Sequence, residues 1–191
     1  ERHVDGLLIT NIKRNDKQIR SLIDKNIPTV LLNQYDEGDS FYVDCNQEEG
    51  SFLATSYLID LGHKDIAVLR ASLNSIFSLN RLRGYQRALL EAGVKYNKAL
   101  IMEENAEADE IAGYNLTQKL LKKEIPFSAI FAFGDPMALG SIRALNEAGI
   151  SVPEDISVVG YDDIPLAKVM QPPLTTVKQR AKLKGFAAAT M

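Results

Sequence analysis

The sequence predicts an α/β fold built on parallel sheet. Short continuous apolar runs recur along the chain, segments of helical spacing separate them almost without exception, and Gly, Pro and Asp punctuate the joins. Continuous rather than alternating apolar strands are what a sheet covered on both faces requires. Strand–helix alternation implies parallel strands joined by right-handed crossovers.

Residues 4–10 (VDGLLIT) read as the first such strand. A helix follows in NDKQIRSLIDKNIP, with Ile19, Leu22 and Ile23 on one face and Pro28 just beyond its end. TVLLNQ (29–34) is a second buried-type strand, and FYVDCN a third after the turn-rich YDEGDS. From residue 47 to 61 the apolar positions Phe52, Leu53, Tyr57, Leu58 and Leu61 recur at helical spacing, with Gly62 as the stop. DIAVLR is a strand, and SLNRLRGYQRALLEAG a helix with Ser78 as its expected N-cap and Gly93 as its stop. ALIMEE is a strand. The next helix, DEIAGYNLTQKLLKKEIP, opens with acids and closes with lysines, the order the helix dipole favours. AIFAFG is a strand, and DPMALGSIRALNEAG a helix with Asp135 as expected N-cap and Pro136 at its first position. ISVVGYDD and LTTVKQ are strands, and AKLKGFAAATM begins another helix.

With 191 residues, 46% hydrophobic and 25% charged, the chain can bury a sizeable core. A net charge of −3 and the lack of a basic tract give no general nucleic-acid affinity. No apolar run approaches membrane-spanning length. The single cysteine, Cys45, excludes an internal disulfide. The chain begins at Glu1 without Met, runs directly into the first strand and ends at Met191 in a helical pattern, and is read as a fragment.

Familiar catalytic signatures are missing: no phosphate loop, no dinucleotide glycine pattern and no nucleophile elbow. Two histidines and one cysteine, widely spaced, make no zinc set, and no metal or cofactor is expected. His63 lies beside a helix stop and is read as structural. Position says more. In open parallel sheets ligands bind beyond the carboxyl ends of strands. Those ends carry Asn33 and Gln34, residues 70–77, residues 103–109, Gly134 with Asp135, and Asp162 with Asp163. Bland readings stand beside each: Asn33 and the two late aspartates as turn residues, Asp135 as a helix cap. Arg81 would fall in the first turn of its helix, where the dipole disfavours a cation. Arg, Asp and Asn side chains suit a polyhydroxylated small molecule, with Phe77 and Tyr161 as candidate walls.

In this order and spacing, VDGLLIT, IPTVLLNQ, SYLIDLGHKDIAVL, NRLRGYQRALLEAG and the stretch from Ser128 to Gln179 resemble the effector-binding core of the lactose-repressor (LacI/GalR) family. The resemblance covers nearly the whole chain and is most specific over 128–179. It implies a periplasmic-binding-protein-like fold, with two Rossmann-like subdomains of parallel sheet clamping a small effector at their hinge. Residues 1–45 with 180–191 would form an incomplete N-terminal subdomain and 46–179 the C-terminal one. A DNA-binding helix-turn-helix would precede Glu1. The implied effector contacts are Asn33, Phe77, Arg81, Gly134, Asp135, Asp162 and Gln179. Of the two late acids, Asp162 is the implied contact and Asp163 shapes the turn. The family usually has Asp where Asn33 and Cys45 stand, often Asn at Gly134, and often an aromatic at Ala108. The implied partners are a sugar, sugar phosphate or nucleoside (or its base), operator DNA through the absent head, and a second copy in a homodimer. No membrane partner is implied, and the expected location is the bacterial cytoplasm. A periplasmic sugar-binding protein of the same fold, feeding a transporter, is the alternative. A doubly wound enzyme is a third reading, weakened by the missing nucleophile.

Overall fold

A computed structural model of the chain describes residues 4–10, 17–32, 41–71 and 75–191. In chain order its elements are β1 (Leu7–Ile9), α1 (Lys17–Asp24), β2 (Thr29–Leu32), β3 (Phe41–Val43), α2 (Gln47–Asp60), β4 (Ile66–Ala71) and α3 (Ile76–Glu91). A 3-10 turn (Lys98–Leu100) then leads into β5 (Ile101–Glu104), α4 (Glu110–Leu121), β6 (Ala129–Ala132), α5 (Asp135–Glu147), β7 (Ser157–Asp162), α6 (Pro165–Val169), β8 (Thr175–Lys178) and α7 (Ala181–Ala189). The chain divides into two compact units. One contains Glu1–Asn46, Asn74–Phe77 and Arg180–Met191; the other contains Gln47–Leu73 and Ser78–Gln179.

The first unit carries a parallel sheet in the order β1-β2-β3, with Leu31 of β2 and Ile19 of α1 buried. Helix α7 packs on β2 and β3. In the second unit five parallel strands run β5-β4-β6-β7-β8. Its strands alternate between two apolar layers. Ala67, Leu69 and Ala71 of β4 join Leu116, Leu120, Met137 and Leu145 from α4 and α5. Ile66 and Val68 join Ala54, Leu58, Tyr85 and Leu89 from α2 and α3. Double coverage explains why these strands read as unbroken apolar runs. Helices α4 and α5 approach closely because Gly113 and Gly140 lack side chains: a Cβ at Gly140 would collide with the Glu110 carbonyl, and one at Gly113 with the Met137 backbone.

Three local expectations need correction. Helix α3 begins at Ile76, so Ser78 is not its cap but its third residue, buried, and Arg81 belongs to the second turn. The first-turn dipole penalty therefore does not apply to Arg81. Helix α5 is capped by Gly134, which puts Asp135 at the first helical position and Pro136 at the second. On α2 the buried face is Gln47, Ser51, Ala54, Thr55 and Leu58, while Leu53, Tyr57 and Leu61 are exposed. The expected apolar stripe lost to a small polar one because that stripe satisfies itself. Ser51 Oγ donates to the Arg81 carbonyl and Thr55 Oγ1 to the Ser51 carbonyl, so both bury without cost and admit close packing on α3.

Candidate functional site

Strand β7 begins in the core and ends in Asp162 and Asp163, with φ of 125° and 57°. Positive φ is uncommon outside glycine, and Asp is among the residues that tolerate it best. Two in succession store strain of about 1–3 kcal/mol each and persist only when surroundings hold them. Asp163 N donates weakly to Thr176 Oγ1 (3.4 Å), and its carboxylate lies 3.7 Å from both Lys168 Nζ and Lys178 Nζ. Asp162 is held from two sides: Gln179 Nε2 donates to its Oδ1 at 2.6 Å, and Arg81 Nη2 lies 3.4 Å from the same oxygen. The side chain of Asp162 nevertheless keeps 33% of its surface exposed, so the carboxylate is both fixed and reachable.

Arg81 is almost fully buried. Its Nε donates to Gln47 Oε1 at 3.0 Å, its Nη1 to the Phe133 carbonyl, and the guanidinium lies 3.6 Å from the centre of the Tyr161 ring. A buried guanidinium needs this degree of pairing to offset its desolvation. Tyr161 is thus a wall for Arg81, itself 2% exposed, and not a ligand wall.

Asp135 is entirely buried. Thr176 Oγ1 donates to its Oδ1 at 2.5 Å and Ile164 N to its Oδ2 at 2.9 Å. The carboxylate therefore ties α5 to β8 and to the chain just after the two strained aspartates. Gly160 makes room for it, since a Cβ there would strike Asp135 Oδ1. Burial pushes this carboxyl above the usual aspartate range, the hydrogen bonds from Thr176 and Ile164 pull it back, and the nearby Asp162 adds to the rise.

Gly134 sits beside Asp162. A Cβ at Gly134 would lie 3.7 Å from Asp162 Oδ2 and 3.9 Å from the carbonyl of Ala108, an exposed residue. Both positions that the family resemblance associates with larger side chains are small here, which leaves space against the Asp162 carboxylate. Phe77 is half-buried in the first turn of α3, where Ile76 and Phe77 group with the first unit. Asn33 lies outside the described residues. The structure thus brings Arg81, Asp162, Gln179 and Gly134 together, and puts Asp135 behind them. Gln47 and Thr176 escaped the sequence reading. Their signal was faint: a Gln opening a helix and a Thr in an extended strand are ordinary until their partners are known. No group of three or more His, Cys, Asp or Glu side chains among the described residues is placed to hold a metal ion. No described helix is long and apolar enough to cross a membrane.

Comparison with known proteins agrees with this architecture. The family model described as "Periplasmic binding protein-like domain" matches residues 55–191. The Escherichia coli transcriptional repressor AscG has a solved structure that superimposes with a TM-score of 0.84, at 33% identity over 98% of this chain and 69% of that one. The chain belongs to the LacI/GalR family. Among its LacI-type relatives, the HTH-type transcriptional repressor PurR of Vibrio atlanticus is 39% identical over 189 residues, and PurR of Pasteurella multocida 37% identical over 196. The chain spans 55% and 57% of their respective lengths. A CelR–cellobiose complex superimposes with a TM-score of 0.91 at 34% identity, over 98% of this chain and 58% of that one. These LacI/GalR relatives are named as transcriptional regulators and repressors, not enzymes or transport proteins, so the periplasmic transport reading is not favoured.

Proposed function

We propose that this chain is the effector-binding part of a LacI/GalR transcriptional regulator and that a small polar effector binds at the carboxyl ends of β6, β7 and β8. The observation that carries this reading is Asp162: a backbone-strained carboxylate, clamped by Gln179 and Arg81, yet one-third exposed. A fixed acceptor beside a guanidinium suits vicinal hydroxyls or a heterocyclic edge. In this reading Arg81, Asp162 and Gln179 contact or directly frame the ligand, Gly134 supplies space, Asp135 positions the Asp162 turn, and Asn33 and Phe77 complete the set. The cellobiose named with the CelR structure supports the sugar side of that chemistry.

Residues 1–45 with 180–191, and 46–179, act as the two subdomains. Gln179 ends the second unit and Arg180 resumes the first. An effector that competes for Asp162 therefore acts on the residue next to the crossover, and can shift the balance between two arrangements of the regulator. Operator binding belongs to a head outside this chain, the working state is a homodimer, and the location is the bacterial cytoplasm. A thermal-shift screen of sugars, sugar phosphates, nucleosides and bases tests the reading, since a ligand of the native state raises Tm by mass action. The binder found should lose at least about tenfold in affinity with Asp162→Asn, by the worth of a charge-assisted hydrogen bond. Unchanged affinity by calorimetry would sink the site.

A further inference from the structure

Arg70, the penultimate residue of β4, carries a charge where the rest of the strand is apolar. Its side chain is only 7% exposed. It alternates with Ile66 and Val68, and so lies on the face that packs against α3. Its neighbour on β5, Glu103, brings Oε2 to 3.1 Å from Arg70 Nε, close enough for attraction but out of line for a hydrogen bond. Arg70 Nε and Nη1 are buried and donate no hydrogen bond. On the same layer the Ser78 hydroxyl is also buried with no hydrogen-bond partner. Ser78 precedes Arg81 by one turn on the buried stripe of α3. Other polar groups of that layer are satisfied: Arg81 by Gln47 and Phe133, and Tyr85 by the Ile66 carbonyl.

Buried polar groups are paired in native proteins as a strong rule. A group that satisfies Arg70 and Ser78 together must accept from a guanidinium and from a hydroxyl. Ser78 is the third residue of a 16-residue helix, so it lies near the positive end of that helix's dipole. An oxyanion meets all three requirements. The place adjoins the proposed effector site through the backbone. Phe133 N donates to the Leu69 carbonyl, one residue before Arg70, and the Phe133 carbonyl accepts from Arg81. Glu103, whose side chain is 47% exposed, is the movable counter-charge that an incoming anion displaces into solvent.

We infer that the effector carries an oxyanion, a phosphate or carboxylate on a small polar body, taken up by Arg70 and Ser78. The inference rests on the effector-binding reading above and narrows its ligand class. Calorimetry on the chain with matched pairs tests it: glucose against glucose 6-phosphate, galactose against galacturonate, and adenosine against adenosine 5′-monophosphate. Inorganic phosphate serves as a further probe. In at least one pair the anionic member binds about tenfold tighter than its neutral partner, the scale of a hydrogen bond to a charged group. Glu103→Gln, at an exposed position, tightens the anionic member several-fold and leaves the neutral member unchanged. Arg70→Lys, which keeps the charge but loses the planar fork, weakens the anionic member alone. If neutral members bind equally well or better, or if Glu103→Gln moves both members alike, the oxyanion site is wrong, and Arg70 and Ser78 are satisfied by buried water. The effector reading then survives provided Asp162→Asn still weakens the neutral ligand. If no member of any pair binds and inorganic phosphate is not taken up either, the oxyanion site falls, and the effector reading is decided by the wider screen.

Discussion

Replacing Asp135 by Asn exchanges one oxygen of a fully buried carboxylate for an NH2 group of nearly the same size, so any change in stability is electrostatic. The amide oxygen can keep the bond from Thr176, but its nitrogen then faces the Ile164 N–H, donor against donor. An unsatisfied buried donor costs about 1–3 kcal/mol. A neutral amide is cheaper to bury than the carboxylate whose pKa burial already raises, which returns part of that. The expected net loss is about 1–2 kcal/mol. With a urea m-value of about 2 kcal/mol/M, the unfolding midpoint falls by about 0.5–1 M. The pH dependence has a definite sign. A carboxyl raised in the folded state binds its proton more tightly folded than unfolded. Its favourable contribution is complete below the unfolded pKa and is lost as pH rises through the folded pKa. Asn does not titrate, and the other carboxylates are common to both proteins. The gap between wild type and Asp135→Asn is therefore largest in acid and narrows as pH rises. Urea unfolding followed by circular dichroism from acid to neutral pH measures it. A gap that stays constant, or widens with rising pH, would refute the assignment of Asp135 as a carboxylate held up by burial.

Gly140→Ala drives a methyl into the Glu110 carbonyl at the α4–α5 contact and should cost about 1–3 kcal/mol or more, read as a drop in Tm of several degrees. Gly134→Asn should be tolerated within about 1 kcal/mol by the same assay, because φ is −174° and the nearest atom to a Cβ is 3.7 Å away. It should also alter effector affinity, since its side chain enters the space beside Asp162. His63→Ala removes a bridge in which the ring nitrogens lie 2.9 Å from Ser128 Oγ and 3.0 Å from Ser157 Oγ, with an expected loss of about 1–2 kcal/mol in urea unfolding.

Strand order of the chemistry was legible where the physics is local. Continuous apolar runs announced doubly covered strands, and the strand-end rule selected Asp162 and Gly134, whereas Arg81 was singled out by a first-turn argument that its true place in the second turn of α3 removes. Arg70 was visible only as a polar residue near the end of β4; that its guanidinium is buried, unlike the strand-end Glu103, depends on which face of the sheet α3 covers. Tyr161 looked like a wall for a ligand and is a wall for Arg81. The α2 stripe was misread because Ser51 and Thr55 count as polar until their hydroxyls find acceptors within α2 and on α3.

The sequence by itself determined the α/β alternation, the parallel pairing, the family and the strand ends at which polar side chains collect, because periodicity and punctuation act over a few residues. Only the tertiary structure decided which of those side chains face solvent and which are consumed internally. Asp135 and Asp162 are both acids at strand ends. One is sealed beneath β8 by Thr176 and Ile164, and the other is held open by Gln179 and Arg81, through partners up to 81 residues away in the chain. Burial and hydrogen-bond pairing are properties of the packed layers, and no local pattern encodes them.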